Sequence, residues 1–450
     1  MKVYKRSIII ITFIMMMILI GCSNNTKITI SPKHKLGEKI TFFITTDIHY
    51  LAESLRDDGE AFQKFLIGGD GKQLDYIDEI LEAFMNDIEQ KVPEILIISG
   101  DLTNNGEKES HIELAEKLNK IEEMGTTVYV TPGNHDIFNP WALGFKDDQR
   151  YPVDTITDKD FSLIYNKFGY NEAILKDENS LSYLASPSED IWLLMLDTNM
   201  YLNNQKYGNP QTEGMIKQET LEWIQECSVL AKENGAEIIT VMHHNLLDHS
   251  EILSEGFTIN SNEKVLEVFS DLGLNLALSG HVHIQDICSY EKVNKSNTSQ
   301  EFYDIATSSL SVYPQQYGKL DYSPERNSYT YSTEFVDVEG WSKENGVLDE
   351  NLNEFGKYAY TFFGDKAYDM AYNFLTENNN YDDREKHMMA ETFKKLNIKY
   401  FEGTDNTTEK IINSEGFMLW QEASPSFLRS YIMSIYSDDD IDDNNFKLQR

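Results

Sequence analysis

The chain has little cysteine and little positive charge. Its 450 residues include only 3 Cys, with no CxxC spacing among them, which excludes a disulfide-built scaffold or a module held by clustered thiolates. Lys+Arg number 39 against 75 Asp+Glu, for a formal charge of -36. That field opposes long-range attraction of polyanions, so no nucleic-acid polymer is expected as a partner. An anionic substrate would need local help, and bound metal cations would give it. No repeat of 20 to 50 residues is found, which excludes solenoids and propellers. What is present, 40% apolar and 12% aromatic residues, is ample for a core, and the length suggests one large domain plus a smaller one.

Lys2, Lys5 and Arg6 precede an apolar stretch from Ile8 to Ile20, then Gly21 and Cys22. This reads as a signal peptide over residues 1–21. Leu19-Ile20-Gly21-Cys22 resembles the bacterial lipobox, implying lipidation of Cys22 and anchoring on the extracytoplasmic face of the cell membrane, in a bacterium of Gram-positive type. A plain signal anchor is the alternative. Cleavage would remove three positive charges and take the formal charge from -36 to -39. Residues 22–38 read as a polar tether. Cys227 and Cys288 are expected as two buried thiols rather than a disulfide, and neither as a nucleophile.

Strand-like runs follow at 40–46, 94–99, 126–130, 191–196, 237–242 and 274–279, alternating with amphipathic helices marked by Leu74 to Ile88, Leu114 to Ile121 and Leu221 to Ala231. The strands are apolar on both faces, as in an α/β sheet covered by helices. From Asp286 to Asp337 the texture is β-rich, which fits a second sheet packed on the first. Beyond Glu339 it is helical: Ala367, Met370, Ala371 and Phe374 share one face, Met389, Phe393 and Leu396 another, and Ser424-Pro425 would cap a last helix. The domains are then 39–335 and 336–450, with the closing DDDIDDNN read as a solvated acidic end.

Five of these runs end in polar residues. They lead into Asp47 and His49; Gly100-Asp101-Leu102-Thr103; Thr131-Pro132-Gly133-Asn134-His135-Asp136; His243-His244; and Gly280-His281-Val282-His283. Groups that follow the C-terminal ends of parallel strands converge in space. Carboxylate, imidazole and amide without thiolate suit Mn, Fe or Zn. The set is too large for one tetrahedral ion and suits two that share a carboxylate.

In this order, DxH, GDLTNNGE, GNHD, a strand-end His and GHVH resemble the calcineurin-like metallophosphoesterase superfamily, over roughly residues 39–335. The resemblance implies an α/β fold in which two mixed sheets form a sandwich flanked by helices. It implies that Asp47, His49 and His283 hold one metal, that Asn134, His243 and His281 hold the second, and that Asp101 bridges them. His135 would donate a proton to the leaving oxygen or stabilise phosphoryl charge; Asp136 would orient His135 or brace the turn. The lipobox, DIHY, GDLTNNGE and helical C-terminal domain together resemble the class III cyclic-nucleotide phosphodiesterase-like lipoproteins of Gram-positive bacteria. That points to a small phosphodiester substrate, with an extracellular phosphomonoesterase or nucleotidase as the alternative. A binding lipoprotein that has lost its chemistry fits less well, because every ligand is present.

Tyr50, Asn104 and His244 are placed where they would touch substrate, although each would serve equally as a supporting residue. His249 is a weaker candidate for lining the pocket. His111 and His387 fall in charge-rich helical windows and are expected to be exposed, His34 belongs to the tether, and Asp197 is expected to be structural.

Overall fold

A computed structural model describes residues 30–293, 299–378, 380–437 and 442–449. All six expected strands form. β1 (Ile40–Thr45), β2 (Ile95–Ser99) and β3 (Thr127–Thr131) run parallel. The stretch that follows has no clear apolar period; it holds a hairpin of β4 (Leu143–Lys146) and β5 (Gln149–Pro152), then short β6 (Leu175–Lys176) and β7 (Tyr183–Ala185). β8 (Ile191–Leu196), β9 (Glu237–Met242) and β10 (Leu276–Ser279) are again parallel. The β-rich region supplies β11 (Asp286–Val293), β12 (Ser299–Ala306), β13 (Gln316–Ser323) and β14 (Ser328–Phe335), and the chain closes in β15 (Asn445–Gln449).

Two mixed sheets result, one ordered β15-β14-β13-β1-β2-β3 and the other β11-β12-β10-β9-β8-β7-β6. Phe42, Ile44 and Ile97 of the first share one core with Leu193, Val241, Leu278 and Ile305 of the second. Every residue of β2, β3 and β8 is buried, because the opposite faces are covered by helices. The principal ones are α1 (Ile77–Lys91), α2 (Lys108–Met124), α3 (Gln218–Asn234) and α4 (Asn262–Leu272). In α1 the buried Ile77, Ile80, Leu81, Phe84 and Ile88 form the inward stripe.

The C-terminal helices are α5 (Phe355–Asn378), α6 (Asp383–Phe401), α7 (Glu415–Glu422) and α8 (Phe427–Ser437). A capping box between Asp382 and Glu385 starts α6. Their core joins Met389, Phe393, Leu396, Trp420 and Ile432 to Val282, Ile284 and Ala306. Val282 lies between His281 and His283, so the helical domain is seated directly on a segment carrying two expected metal ligands.

Four expectations are corrected. Residues 438–441 of the acidic end lie outside the described residues, but its last part is not a solvated tail: Asp443 is buried and accepts the Ile287 N–H, and β15 pairs with β14. Part of the tether is docked, with His34 N donating to Pro187 O and Leu36 N to Glu189. Met370 is exposed, off the buried face of α5. The cap before α8 is Ser426, whose Oγ accepts from Arg429 N. Residues 1–21 and Cys22 lie outside the described residues. Among the described residues no helix is long and apolar enough to cross a membrane.

Candidate metal centre

The segments after β1, β2, β3, β9 and β10 converge as expected. Asp47, His49, Asp101, His281 and His283 all adopt positive φ, between 46° and 70°. For residues with a β-carbon this costs about 1 kcal/mol or more each, and such strain persists where the surroundings impose it. It turns each side chain off its strand toward a common point. The motif glycines allow the approach: a Cβ at Gly133 would lie 2.1 Å from Asp101 N, and one at Gly100 would lie 2.4 Å from His243 Nδ1.

Two donor sets meet at Asp101. In one, Asp47 Oδ1 lies 3.2 Å from His283 Nε2 and 3.7 Å from His49 Nε2. In the other, His243 Nε2 lies 3.0 Å from Asn134 Oδ1 and 3.5 Å from Asp101 Oδ1. Asp101 Oδ2 lies 3.7 Å from His49 Nε2, so its two oxygens face the two sets. Asp47, His49 and His283 offer ligand atoms within 4.8 Å of one another, as do Asp101, His243 and His281.

Outer partners fix which imidazole nitrogens face inward. His243 Nδ1 donates to Ser99 O at 3.0 Å, leaving Nε2 for the centre; His281 Nε2 donates to Gly256 O at 3.0 Å, leaving Nδ1. Asp47 Oδ1 is buried without a hydrogen bond. An orphaned carboxylate oxygen, an oxygen and nitrogen ligand set and a carboxylate shared between two groups fit two divalent cations. The electrostatics show carboxylates that stay anionic and draw positive charge to the centre. Burial works against charge on Asp101, yet the imidazoles of His243 and His135 hold it well below the usual carboxylate range. Burial also opposes charge on Asp47, and His283 outweighs it. Burial and the neighbouring His243 push His281 down to about 3, keeping it neutral. Burial disfavours a charged His243, but Asp101 and then Asp47 push it up to about 9.

His135 and His283 keep 19% and 16% of their side chains exposed, while His49, His243 and Asp47 are closed off. The two half-open imidazoles mark the mouth. His135 Nδ1 donates to Asn104 O at 2.7 Å, and its Nε2 stands 4.0 Å from Asp101 Oδ2.

The weaker site expectations divide. Asp136 does not touch the His135 ring; it accepts from Gly133 N, Leu102 N, Thr103 N and Thr103 Oγ1, and therefore braces the turn. Tyr50 points away from the mouth, its hydroxyl donating to Asp78 and Glu113. Asn104 serves through its carbonyl, and its buried side chain reaches Glu107. His244 is buried between Thr198 Oγ1 and Thr212 O, with its ring 4.5 Å from that of His281. Asp197 is structural as expected, accepting from Leu181 N, Asn199 N and Tyr201 Oη. His387 is exposed as expected.

His111 is a correction: it is fully buried, with Nδ1 2.8 Å from Tyr165 Oη and Nε2 2.9 Å from Asp136 O. Burial pushes it down to about 3, so it stays neutral and ties α2 to the GNHD turn. His111→Ala is expected to cost about 2–4 kcal/mol through a cavity and unsatisfied partners. Thermal melting of the variant checks this, and an unchanged midpoint would contradict it.

One cation at the mouth carries no motif signal. Lys72 is 10% exposed and lies 3.2 Å from Asp70 Oδ2. Burial comes first in holding His49 well below its ordinary range, and the Lys72 charge adds to it. His135 is lowered by burial too, with Asp101 opposing and Lys72 assisting.

Residues 40–285 match the calcineurin-like phosphoesterase family, and residues 337–442 match the C-terminal domain of cyclic nucleotide phosphodiesterase. The chain belongs to the calcineurin-like phosphoesterase family, joined to that C-terminal domain, and is a metal-dependent phosphoester hydrolase. No curated protein matches it. Similar solved structures include a dimetal phosphatase from Danio rerio, at 10% identity and a TM-score of 0.45 over 65% of this chain and 95% of that one. Another is a purple acid phosphatase from yellow lupin (Lupinus luteus) seeds, at 11% identity and a TM-score of 0.40 over 68% of this chain and 52% of that one.

Proposed function

We propose that the protein is a phosphodiesterase for small diesters, cyclic nucleotides foremost, held by a lipid at Cys22 on the extracytoplasmic face of the membrane. The observation that carries the diester reading is the C-terminal domain. It matches that of cyclic nucleotide phosphodiesterases and packs around Val282, between His281 and His283. The anchoring reading rests on the sequence LIGC after an apolar stretch.

Two bound cations, Mn, Fe or Zn by donor chemistry, would supply water activation and neutralisation of phosphate charge. Asp47, His49 and His283 would hold one, Asn134, His243 and His281 the other, and Asp101 both. His135 has its Nδ1 proton committed to Asn104 O, so as an imidazolium it has one transferable proton, on Nε2 at the mouth. That proton goes to the leaving oxygen. Lys72 is paired with Asp70 at 3.2 Å and brings no net charge to the mouth, so attraction of phosphate to a strongly negative protein would rest on the cations.

With Mn²⁺ supplied, bis-p-nitrophenyl phosphate is expected to be cleaved at least about tenfold faster than p-nitrophenyl phosphate, a difference of about 1.4 kcal/mol in barrier. A cyclic-nucleotide panel would then rank the natural diesters. Preference for the monoester would instead support an extracellular phosphatase or nucleotidase. In the membrane fraction of an expressing Gram-positive cell the mature N-terminus is expected to be an acylated Cys22, read by mass spectrometry. An uncleaved or unacylated N-terminus would refute lipid anchoring.

A further inference from the structure

A second set of metal-type donors meets away from Asp101. His249, on the segment after β9, and Asp286 and Cys288, two residues apart on β11, offer ligand atoms all within 4.8 Å of one another. Cys288 Sγ lies 3.2 Å from Asp286 Oδ2 and 3.4 Å from the Asp248 carbonyl oxygen. His249 Nδ1 contacts the same Asp286 oxygen. Ligand atoms around a tetrahedral zinc stand roughly 3.5 Å apart, as bond lengths of about 2.0–2.3 Å require. Carboxylate, thiolate and carbonyl are thus gathered at about the spacing one small cation would impose, while His249 Nδ1 is in direct hydrogen-bond contact with Asp286 and would have to exchange that bond for the cation.

The far side of the imidazole strengthens the case. His249 is buried, and its Nε2 faces Asp304 Oδ2 at 3.4 Å without making a hydrogen bond. Asp304 is itself fixed, accepting from Leu246 N, Leu247 N and Ser279 Oγ. A metal-bound histidine commonly turns its second nitrogen to a carboxylate in this manner. Cys288 is only half-buried, which leaves an entry path.

We propose that His249, Asp286 and Cys288, with the Asp248 carbonyl, bind one zinc-class divalent cation at a site separate from the dimetal centre. Its place in the fold suggests a staple. His249 O accepts from Tyr400 Oη of α6, and on the same segment Asn245 Nδ2 donates to Ser279 Oγ and Gly280 O, just before His281. A cation here fastens the segment after β9 to β11, between the helical domain and the GHVH turn. It does not enter the phosphoester chemistry.

Cobalt(II) tests the site independently of turnover. The dimetal centre holds no thiolate, so a sulfur-to-cobalt charge-transfer band in the near ultraviolet reports a cysteine ligand. The protein reconstituted with cobalt is expected to show this band. Cys288→Ser is expected to abolish it and to lower bound zinc by one ion per chain, while diester cleavage with Mn²⁺ is retained. Should that variant not fold, His249→Gln is expected to weaken cobalt binding in this band at least about tenfold. A cobalt-loaded protein with no such band, or a band that survives Cys288→Ser, would overturn the proposal. No substrate is used for the spectrum, so failure of the phosphodiesterase reading would leave this result standing, and the reverse.

Discussion

Asp101→Asn is expected to lower kcat by about a thousandfold or more, roughly 4 kcal/mol of barrier, with the chain still folded. One carboxylate oxygen lies 3.5 Å from His243 Nε2 and the other 3.7 Å from His49 Nε2. An asparagine keeps the shape and can still accept the His135 N–H that Asp101 Oδ1 accepts at 2.8 Å. It cannot present an anionic oxygen to both donor sets, and its amide NH₂ would point at one of them. Metal content should fall with activity. A variant that retains both activity and two bound ions would show that Asp101 does not join the sites.

His135→Gln is expected to separate substrates by leaving group. Where the leaving oxygen is an alkoxide, as in a nucleoside diester, loss of the proton donor should cost about 10²–10⁴ in kcat. With p-nitrophenolate, which departs without protonation, the loss should be far smaller. The geometry motivating this is the free Nε2 at the mouth, with Nδ1 tied to the Asn104 carbonyl. Equal losses for both substrates would assign His135 to charge stabilisation or binding instead of proton transfer.

The cluster was legible because each piece follows an apolar run that reads as a buried strand, and parallel strands bring their C-terminal ends together. The choice of Asp47, His49, Asp101, Asn134, His243, His281 and His283 as ligands came from the resemblance of the ordered motifs to the calcineurin-like family. The direction of single side chains did need it. Tyr50 follows DIH but turns to Asp78 and Glu113, because the backbone after His49 pairs with Leu102 and Asn104. His111 looked exposed in a charge-rich window, yet its spacing to Leu114, Leu118 and Ile121 places it on the buried face of α2. That periodicity was the available signal. Lys72 had none, since only the tertiary fold brings its loop to the mouth. Asp136 was ambiguous in sequence, and the three backbone N–H groups it accepts decide for the turn. The edge strand β15 was obscured by the acidic run before it, and its partner β14 lies more than a hundred residues earlier.

We propose a two-metal centre joined by Asp101 that cleaves phosphodiesters. Metal-free protein titrated with Mn²⁺ and followed by electron paramagnetic resonance, with bis-p-nitrophenyl phosphate cleavage assayed at each addition, tests it most directly. Ions about 3.5–4 Å apart are close enough for spin coupling. A coupled pair is expected, its signal growing with activity and absent in Asp101→Asn. Full activity with a single uncoupled ion per chain would contradict it.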